Sequence, residues 1–338
     1  MRLNTANRSF VALLVLAAVP YVLLGFAGCA LVGAVVYELY TGGWSAITAG
    51  SQDLRPALAF FGLLGLGSAL GFASIITQLR ASRRLTARVR ALRVATPGDV
   101  ADVATRGKVA GRIDVVDSPE AFSFAYGFIS PRIAVSQGLI EALSTAELEA
   151  VLEHERYHVR TWDPAKVVLA RAFPRATFYL PALRHLRRRY VAGRELAADR
   201  RAMRACGEPA LAGALYKVIR GPAWPELAQA AAIGGPELLD ARVEQLETGD
   251  EPAVPPVSTA AKLATAIGLA ALAALLALSF AGLDDPFAFM RDRGFGRGGM
   301  MRNDHRRGPW GFVGFAISTI IWALAGVWLW RRFRRRTA

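Results

Sequence analysis

The chain has 338 residues, 53% of them hydrophobic, with a net charge of +14 and two cysteines. That much apolar material fills either a large core or several membrane spans, and composition alone does not choose between them. Two cysteines, one in an apolar stretch (Cys29) and one in a polar block (Cys206), supply no disulfide framework and suit a reducing compartment.

The distribution of apolar residues decides for a membrane protein. Four stretches are long enough to cross about 30 Å of hydrocarbon: Phe10 to Tyr37, Pro56 to Leu79, Ala261 to Leu283, and Trp310 to Trp330, the last with tryptophans at both ends. Arginines crowd directly behind the second stretch (Arg80, Arg83, Arg84, Arg88, Arg90, Arg93) and the fourth (Arg331, Arg332, Arg334, Arg335, Arg336). Both clusters abut spans, so they read as orientation anchors that meet anionic headgroups, and a direct nucleic-acid partner is not expected. The positive-inside rule then places both termini and the block from Arg80 to Ser258 in the cytoplasm of a multi-pass plasma-membrane protein. The outer loop, with six arginines against four aspartates between Asp284 and Pro309, runs against that orientation.

The expected layout is two spans with a short outer loop (1–79), a cytoplasmic domain (80–249), a linker (250–260), a third span (261–283), a Gly/Arg-rich outer loop (284–309), and a fourth span with a basic tail (310–338). In the central domain, RASRRLTARVRALR reads as a helix leaving the membrane surface. Strands are expected at RIDVVDS from Arg112, FSFAYGF from Phe122 and RIAVSQGLI from Arg132, making a small sheet. Ser144 with Glu147 three residues on forms a capping box, so a helix starts near Thr145. Asp163 to Leu183 is apolar but broken by Lys166, Arg171, Pro174 and Arg175, which suits an interfacial or re-entrant helical pair whose basic side chains reach the headgroups. A second long helix stops near Gly207, two more helical patterns cover Ala210 to Ile219 and Pro236 to Leu246, and DEPAVPPVS leads into the third span.

The chemistry sits in the capped helix, as His154-Glu155-Arg156-Tyr157-His158. Residues four apart share a helix face, so both imidazoles can reach one Zn²⁺ while the glutamate points at the water on it. A catalytic zinc site needs a third protein ligand and leaves the fourth position to water. Glu195 stands 37 residues after His158, and Asp199 lies four further on, where it can accept a hydrogen bond from the outer N–H of a ligand imidazole.

These motifs carry a family resemblance. FSFAYGFISPRIAVSQGLI, AELEAVLEHERYHVRTWDP and FYLPALRHLRRRYVAGRELAADRRA resemble the integral membrane gluzincins related to the β-lactam-sensing BlaR/MecR-type peptidases and, more distantly, the HtpX and CAAX prenyl proteases. The resemblance implies His154, His158 and Glu195 as ligands of one zinc ion per chain, Glu155 as general base, and Asp199 as support for an imidazole. It also implies an exposed edge strand near Phe122, Ser123, Phe124, Ala125 and Tyr126 that receives substrate as an added strand. Two departures stand out: no large penicillin-binding domain is expected after the fourth span, so β-lactam sensing is not implied, and Arg156 puts a charge inside the motif. Neither His185 nor Tyr190 is assigned as an oxyanion donor, and His305 lies in the outer loop.

The expected fold is therefore mainly α with a small β-sheet: a polytopic membrane protein of about four transmembrane helices with a zincin-like α+β cytoplasmic peptidase domain. The expected function is a zinc-dependent endopeptidase cutting a cytoplasmic or membrane-associated protein, by analogy with the sensors a repressor-type regulator. A non-enzymatic receptor or scaffold that retains the fold is the alternative, and the intact Glu155 speaks against it, because a structural metal needs no general base. The motif's charged surroundings separate it from zinc proteases whose HExxH lies within a span.

Overall fold

The computed structural model describes residues 5–23, 25, 55–220 and 235–281. The far half of the first apolar stretch, the loop at 284–309 and the fourth stretch lie outside them. The chain is mostly helical, in the order α1 (Thr5–Leu23), α2 (Arg55–Ala91), β1 (Arg93–Val94), α3 (Gly98–Arg106), β2 (Ile113–Val116), β3 (Ser123–Tyr126), β4 (Arg132–Ser136), α4 (Gln137–Ala142), α5 (Thr145–Thr161), α6 (Asp163–Ala176), α7 (Ala182–Cys206), α8 (Glu208–Arg220), α9 (Gly235–Thr248) and α10 (Thr259–Ala281). Among the described residues three helices, Thr5–Leu23, Arg55–Ala91 and Thr259–Ser279, are long and apolar enough to span a bilayer. Val15, Val22, Leu58, Phe72, Leu263 and Ile267 on these helices are 60–70% exposed, a pattern that water punishes and lipid does not.

The second span and the arginine-rich segment behind it are one continuous 37-residue helix, α2. Its far end becomes a wall of the polar domain: Leu85, Val89 and Leu92 pack on Val116, Phe122, Phe124, Tyr126 and Ala134. The sheet has the order β1-β2-β4-β3, with β2 and β4 parallel and β3 antiparallel to β4. Because strand side chains alternate, Val115, Ile133 and Val135 point to the opposite face and meet Leu148, Val151 and Leu152 of α5. The sheet is thus held between the membrane helix α2 and the motif helix α5.

Two expectations need correction at this level. The third strand ends at Ser136, whose side chain accepts the backbone N–H of Leu139 and so caps α4; the GLI of RIAVSQGLI is helix, not strand. Strand β3 begins at Ser123, and Phe122 before it is a buried anchor, 4% exposed, in the packing against α2. The short elements β1 and α3 lacked a strong sequence signal. The capping box of α5 is present with both of its hydrogen bonds.

Asp163 to Leu183, expected as a helical pair, holds a single helix, α6, and the turn at 177–181; the helix it pairs with is the long α7, which starts at Ala182. A β-carbon on Gly67 would lie 2.1 Å from the Ala176 carbonyl oxygen, so only glycine lets α2 and α6 come this close. A second close approach brings α1 onto α7, where a β-carbon on Gly193 would lie 2.9 Å from the Ala6 nitrogen. Around it Ala6, Phe10, Leu13 and Ala17 pack with Ala170, Leu180, Leu183, Tyr190 and Val191. The first membrane helix therefore touches the helix that carries Glu195.

Candidate metal centre

Helix α5 sets His154, Glu155 and His158 on one buried face, 9%, 7% and 6% exposed. Helix α7 lies against α5 and turns Glu195 towards them. Three donor atoms converge: His154 Nε2 and His158 Nε2 are 3.2 Å apart, and Glu195 Oε2 is 3.5 Å from the first and 3.7 Å from the second. Ligand bonds of about 2.1 Å in a tetrahedron require donors separated by about 3.4 Å, so these residues fit a small four-coordinate ion with one position left over. Among the described residues this is the one cluster of its kind.

Each imidazole is held from behind by a carboxylate. His154 Nδ1 is 2.8 Å from Asp199 Oδ1, the place expected four residues after Glu195. His158 Nδ1 is 2.6 Å from Asp163 Oδ2. A carboxylate at Nδ1 favours the proton there, which frees Nε2 as a ligand atom. Asp163 belongs to no motif in the sequence. Its position depends on Trp162, which adopts φ 59° and ψ 35° between α5 and α6. This left-handed residue ends one helix and starts the next within one step, folding Asp163 back onto His158.

The supports have supports. Arg242 of α9 forks onto Asp199, Nε to Oδ2 at 2.6 Å and Nη2 to Oδ1 at 2.8 Å. The Tyr190 hydroxyl donates to Asp163 Oδ1 at 3.1 Å, so the tyrosine with suitable oxyanion chemistry is committed elsewhere. Arg194 pairs with Glu195 Oε1 at 2.9 Å. Nothing in the sequence pointed to Arg242, which arrives from about 43 residues beyond Asp199 through the packing of α9 on α7. His185 is half-buried on α7, and His305 lies outside the described residues.

The electrostatics favour a cation here. Burial works against charge on both imidazoles, but Asp199 and Glu195 around His154, and Glu195 and Asp163 around His158, outweigh it; both are held above the ordinary imidazole value, His158 at about 10. Burial would likewise raise Glu195 and Asp199. Arg194 and His158 instead hold the first well below the usual carboxylate range, and Arg242 and His154 hold the second at about 2. The pocket thus stabilises positive charge at the imidazoles, which a metal dication would supply in place of protons.

Glu155 lies beside this cluster and accepts a hydrogen bond from the Ser123 hydroxyl, 3.2 Å from its Oε1. Alternation along β3 explains the contact: Phe122, Phe124 and Tyr126 point towards α2, leaving Ser123 and Ala125 to face α5. At the other end of β3 the Tyr126 hydroxyl donates to the buried Asp114, which also pairs with Arg132 and Arg93. Strand β3 is an edge of the sheet, paired on one side only.

A family model, described as BlaR1 peptidase M56, matches residues 63–246, more than half of the 338. The chain is also similar to a protease HtpX homolog 2 of Methanosarcina mazei, 40% identical over 62 residues (18% of this chain, 21% of that one). A protease HtpX homolog of Thermoplasma acidophilum is 36% identical over 64 residues (19% and 20%). The chain spans about one-fifth of the length of these curated relatives. No solved structure matches. With the family match running from within α2 to within α9 and with membrane-length helices beside a three-donor centre, the chain belongs to the BlaR1 peptidase M56 family of membrane gluzincin-type metallopeptidases.

Proposed function

We propose that the protein is a zinc-dependent endopeptidase whose polar domain faces the cytoplasm and cuts a cytoplasmic or membrane-associated protein, a repressor-type regulator being the candidate by family analogy. The observation that carries this reading is the tetrahedral spacing of His154 Nε2, His158 Nε2 and Glu195 Oε2 with the carboxylate of Glu155 next in sequence to the first ligand. When bound, zinc supplies Lewis acidity, polarising the scissile carbonyl and bringing the pKa of water towards 7. Glu155 takes the proton of the attacking water and returns it to the leaving amine. Asp199 and Asp163 hold the imidazoles in register throughout. The unpaired edge of β3 receives the substrate as an added strand, with Ser123 as the residue that ties that strand to the base.

The test uses the full chain in detergent. Wild type is expected to bind one zinc, to cleave casein or itself, and to lose activity on chelation. Glu155→Ala is expected to keep its zinc and lose at least about 100-fold in rate, the usual contribution of a general base. Equal activity in the two proteins would sink the peptidase reading.

A further inference from the structure

We propose that the substrate is a protein inserted in the same bilayer and cut where its chain leaves the hydrocarbon; the inference rests on the peptidase reading above and narrows it. The helices beside the metal centre fix its height. Helices α2 and α6 run antiparallel, since Gln78 Nε2 donates to the Val168 carbonyl at 3.2 Å while Gly67 and Gly71 lie against Ala176. Gln78 stands at the end of the second apolar stretch, just before Arg80. Asp163, the support of His158, lies up α6 from Val168 by about 8 Å at 1.5 Å per residue. Helix α1 gives the same height by another route. The ring of Phe10, where the first stretch begins, is 5.1 Å from that of Tyr190, and Glu195 is again about 8 Å further along α7. Helix α10 sets a ceiling. Its Thr265 hydroxyl accepts the Ala182 N–H about 6 Å inside the third stretch, and Glu195 lies about 20 Å along α7 from Ala182, so the centre stands no more than about 14 Å above the hydrocarbon.

The sheet meets the lipid with its free edge first. Strand β1 follows the far end of α2, so Arg93 stands about 20 Å beyond Leu79. The order β1-β2-β4-β3 then takes three steps of about 4.8 Å, which brings β3 about 14 Å lower. Its contacts agree: Ser123 reaches Glu155 beside the metal ligands, and β3 touches α6, the helix that runs down along α2. The strand nearest the bilayer is therefore β3. The backbone groups it leaves unpaired follow from the register. The Ser136 N–H donates to the Phe122 carbonyl at 3.1 Å, so Phe122, Phe124 and Tyr126 turn their backbone groups to β4, and Ser123 and Ala125 turn theirs outward, to the lipid side.

A strand added to that edge lies one more step down, about 3 Å above the hydrocarbon and inside a headgroup layer about 5–8 Å thick. A folded soluble protein meets the headgroups before it reaches this edge, whereas a chain emerging from the bilayer passes through it. At about 3.3 Å per residue, one residue covers the climb and a few more cover the length of β3, so the bond that is cut lies within about eight residues of the substrate's own span. Insertion in the same bilayer also raises the effective concentration of that segment at the site.

The test places the zinc-loaded full chain in lipid nanodiscs and offers it one mixed-sequence segment of about twenty residues in three forms. In the first the segment follows a transmembrane helix of about 20 Leu and Ala residues in the same disc, in the second it is free in solution, and in the third a polyproline spacer of about ten residues, about 31 Å long, separates it from the helix. Mass spectrometry of the products maps every cut. The first form is expected to be cut at least about tenfold faster than the other two, with the cuts crowded into its first eight or so residues. Equal rates for the anchored and free segments, cuts spread evenly along the anchored one, or a spacer without effect overturn the proposal. Casein keeps the two possible failures apart. If wild type cuts casein, Glu155→Ala does not, and the anchored segment has no advantage, the substrate class alone is wrong; if wild type cuts nothing, the peptidase reading falls and this inference with it.

Discussion

His154 is held from one side of the centre by Asp199 and Arg242, and His158 from the other by Asp163 and Tyr190. On the first side a buried carboxylate meets a guanidinium that is 17% exposed, both inside the polar domain. On the second the carboxylate meets a phenol, whose ring lies 5.1 Å from that of Phe10 on the first membrane helix. One motif with two imidazoles is thus supported in two ways, one through a direct carboxylate–guanidinium pair closed within the domain, the other through a hydroxyl and continuous with the membrane.

The largest expected effect separates the two sides by stability. Asp199→Ala removes an imidazole support and strands Arg242, so metal affinity should fall about 10–100-fold and unfolding free energy by about 3–5 kcal/mol. Asp163→Ala should cost a similar factor in metal affinity, but less in stability, about 1–3 kcal/mol: it strands the Tyr190 hydroxyl and takes a charge away from Lys166 and Arg194, which keep Asn7 and Glu195 as partners. Chelator-competition titrations and denaturant unfolding of the full chain in detergent read the two quantities separately. Adding Arg242→Leu to Asp199→Ala should recover stability and leave metal affinity low. Equal stability losses at Asp199 and Asp163 would break the comparison.

The pH dependence of the metal-free protein comes next. The folded-state values of both imidazoles are raised above about 6.5, so their contribution is complete below that pH and is lost as pH rises through the folded values, to about 10 for His158. Thermal midpoints of chelator-treated protein should therefore fall between pH 6.5 and 10. Zinc-loaded protein should not follow, since its ligand imidazoles are already neutral. Asp199 acts in the other direction: with a folded value of about 2, its stabilisation is present above about 3.9 and disappears as the pH drops towards 2. A flat alkaline profile for the metal-free protein would mean that the carboxylates do not hold the imidazoles charged.

The same comparison explains what could be read from the sequence. His154 with His158 and Glu195 with Asp199 were legible as pairs because helical spacing four apart is a local property, and so was the capping box that starts α5; that the two pairs belong to one site was implied by the family resemblance. The membrane stretches that fall within the described residues were legible because hydropathy over twenty residues is additive. Asp163 was within reach, five residues after His158, but its role needs the left-handed turn at Trp162, which a propensity argument disfavours for tryptophan. Tyr190 could be noticed but not placed, since the hydroxyl's partner depends on how α6 meets α7. Arg242 and the α1 contacts are purely tertiary. They follow from close approaches, such as Ala6 on Gly193, that leave no periodic trace.

The smallest effect is the most informative about the membrane side. Tyr190→Phe keeps the ring and removes a single hydrogen bond to Asp163, so metal affinity should weaken about 2–10-fold, the factor for about 0.5–1.5 kcal/mol. Phe10→Leu removes no polar group. If α1 reaches the centre by bracing the Tyr190 ring, this change should weaken metal binding by a smaller factor, and only while the hydroxyl is present. In the Tyr190→Phe background its effect should vanish, a non-additivity that chelator titration of the four proteins in a double-mutant cycle resolves. Two effects that simply multiply would confine α1 to packing; a vanishing one would make the first membrane helix a lever on His158, with Asp163 and Tyr190 as its arm.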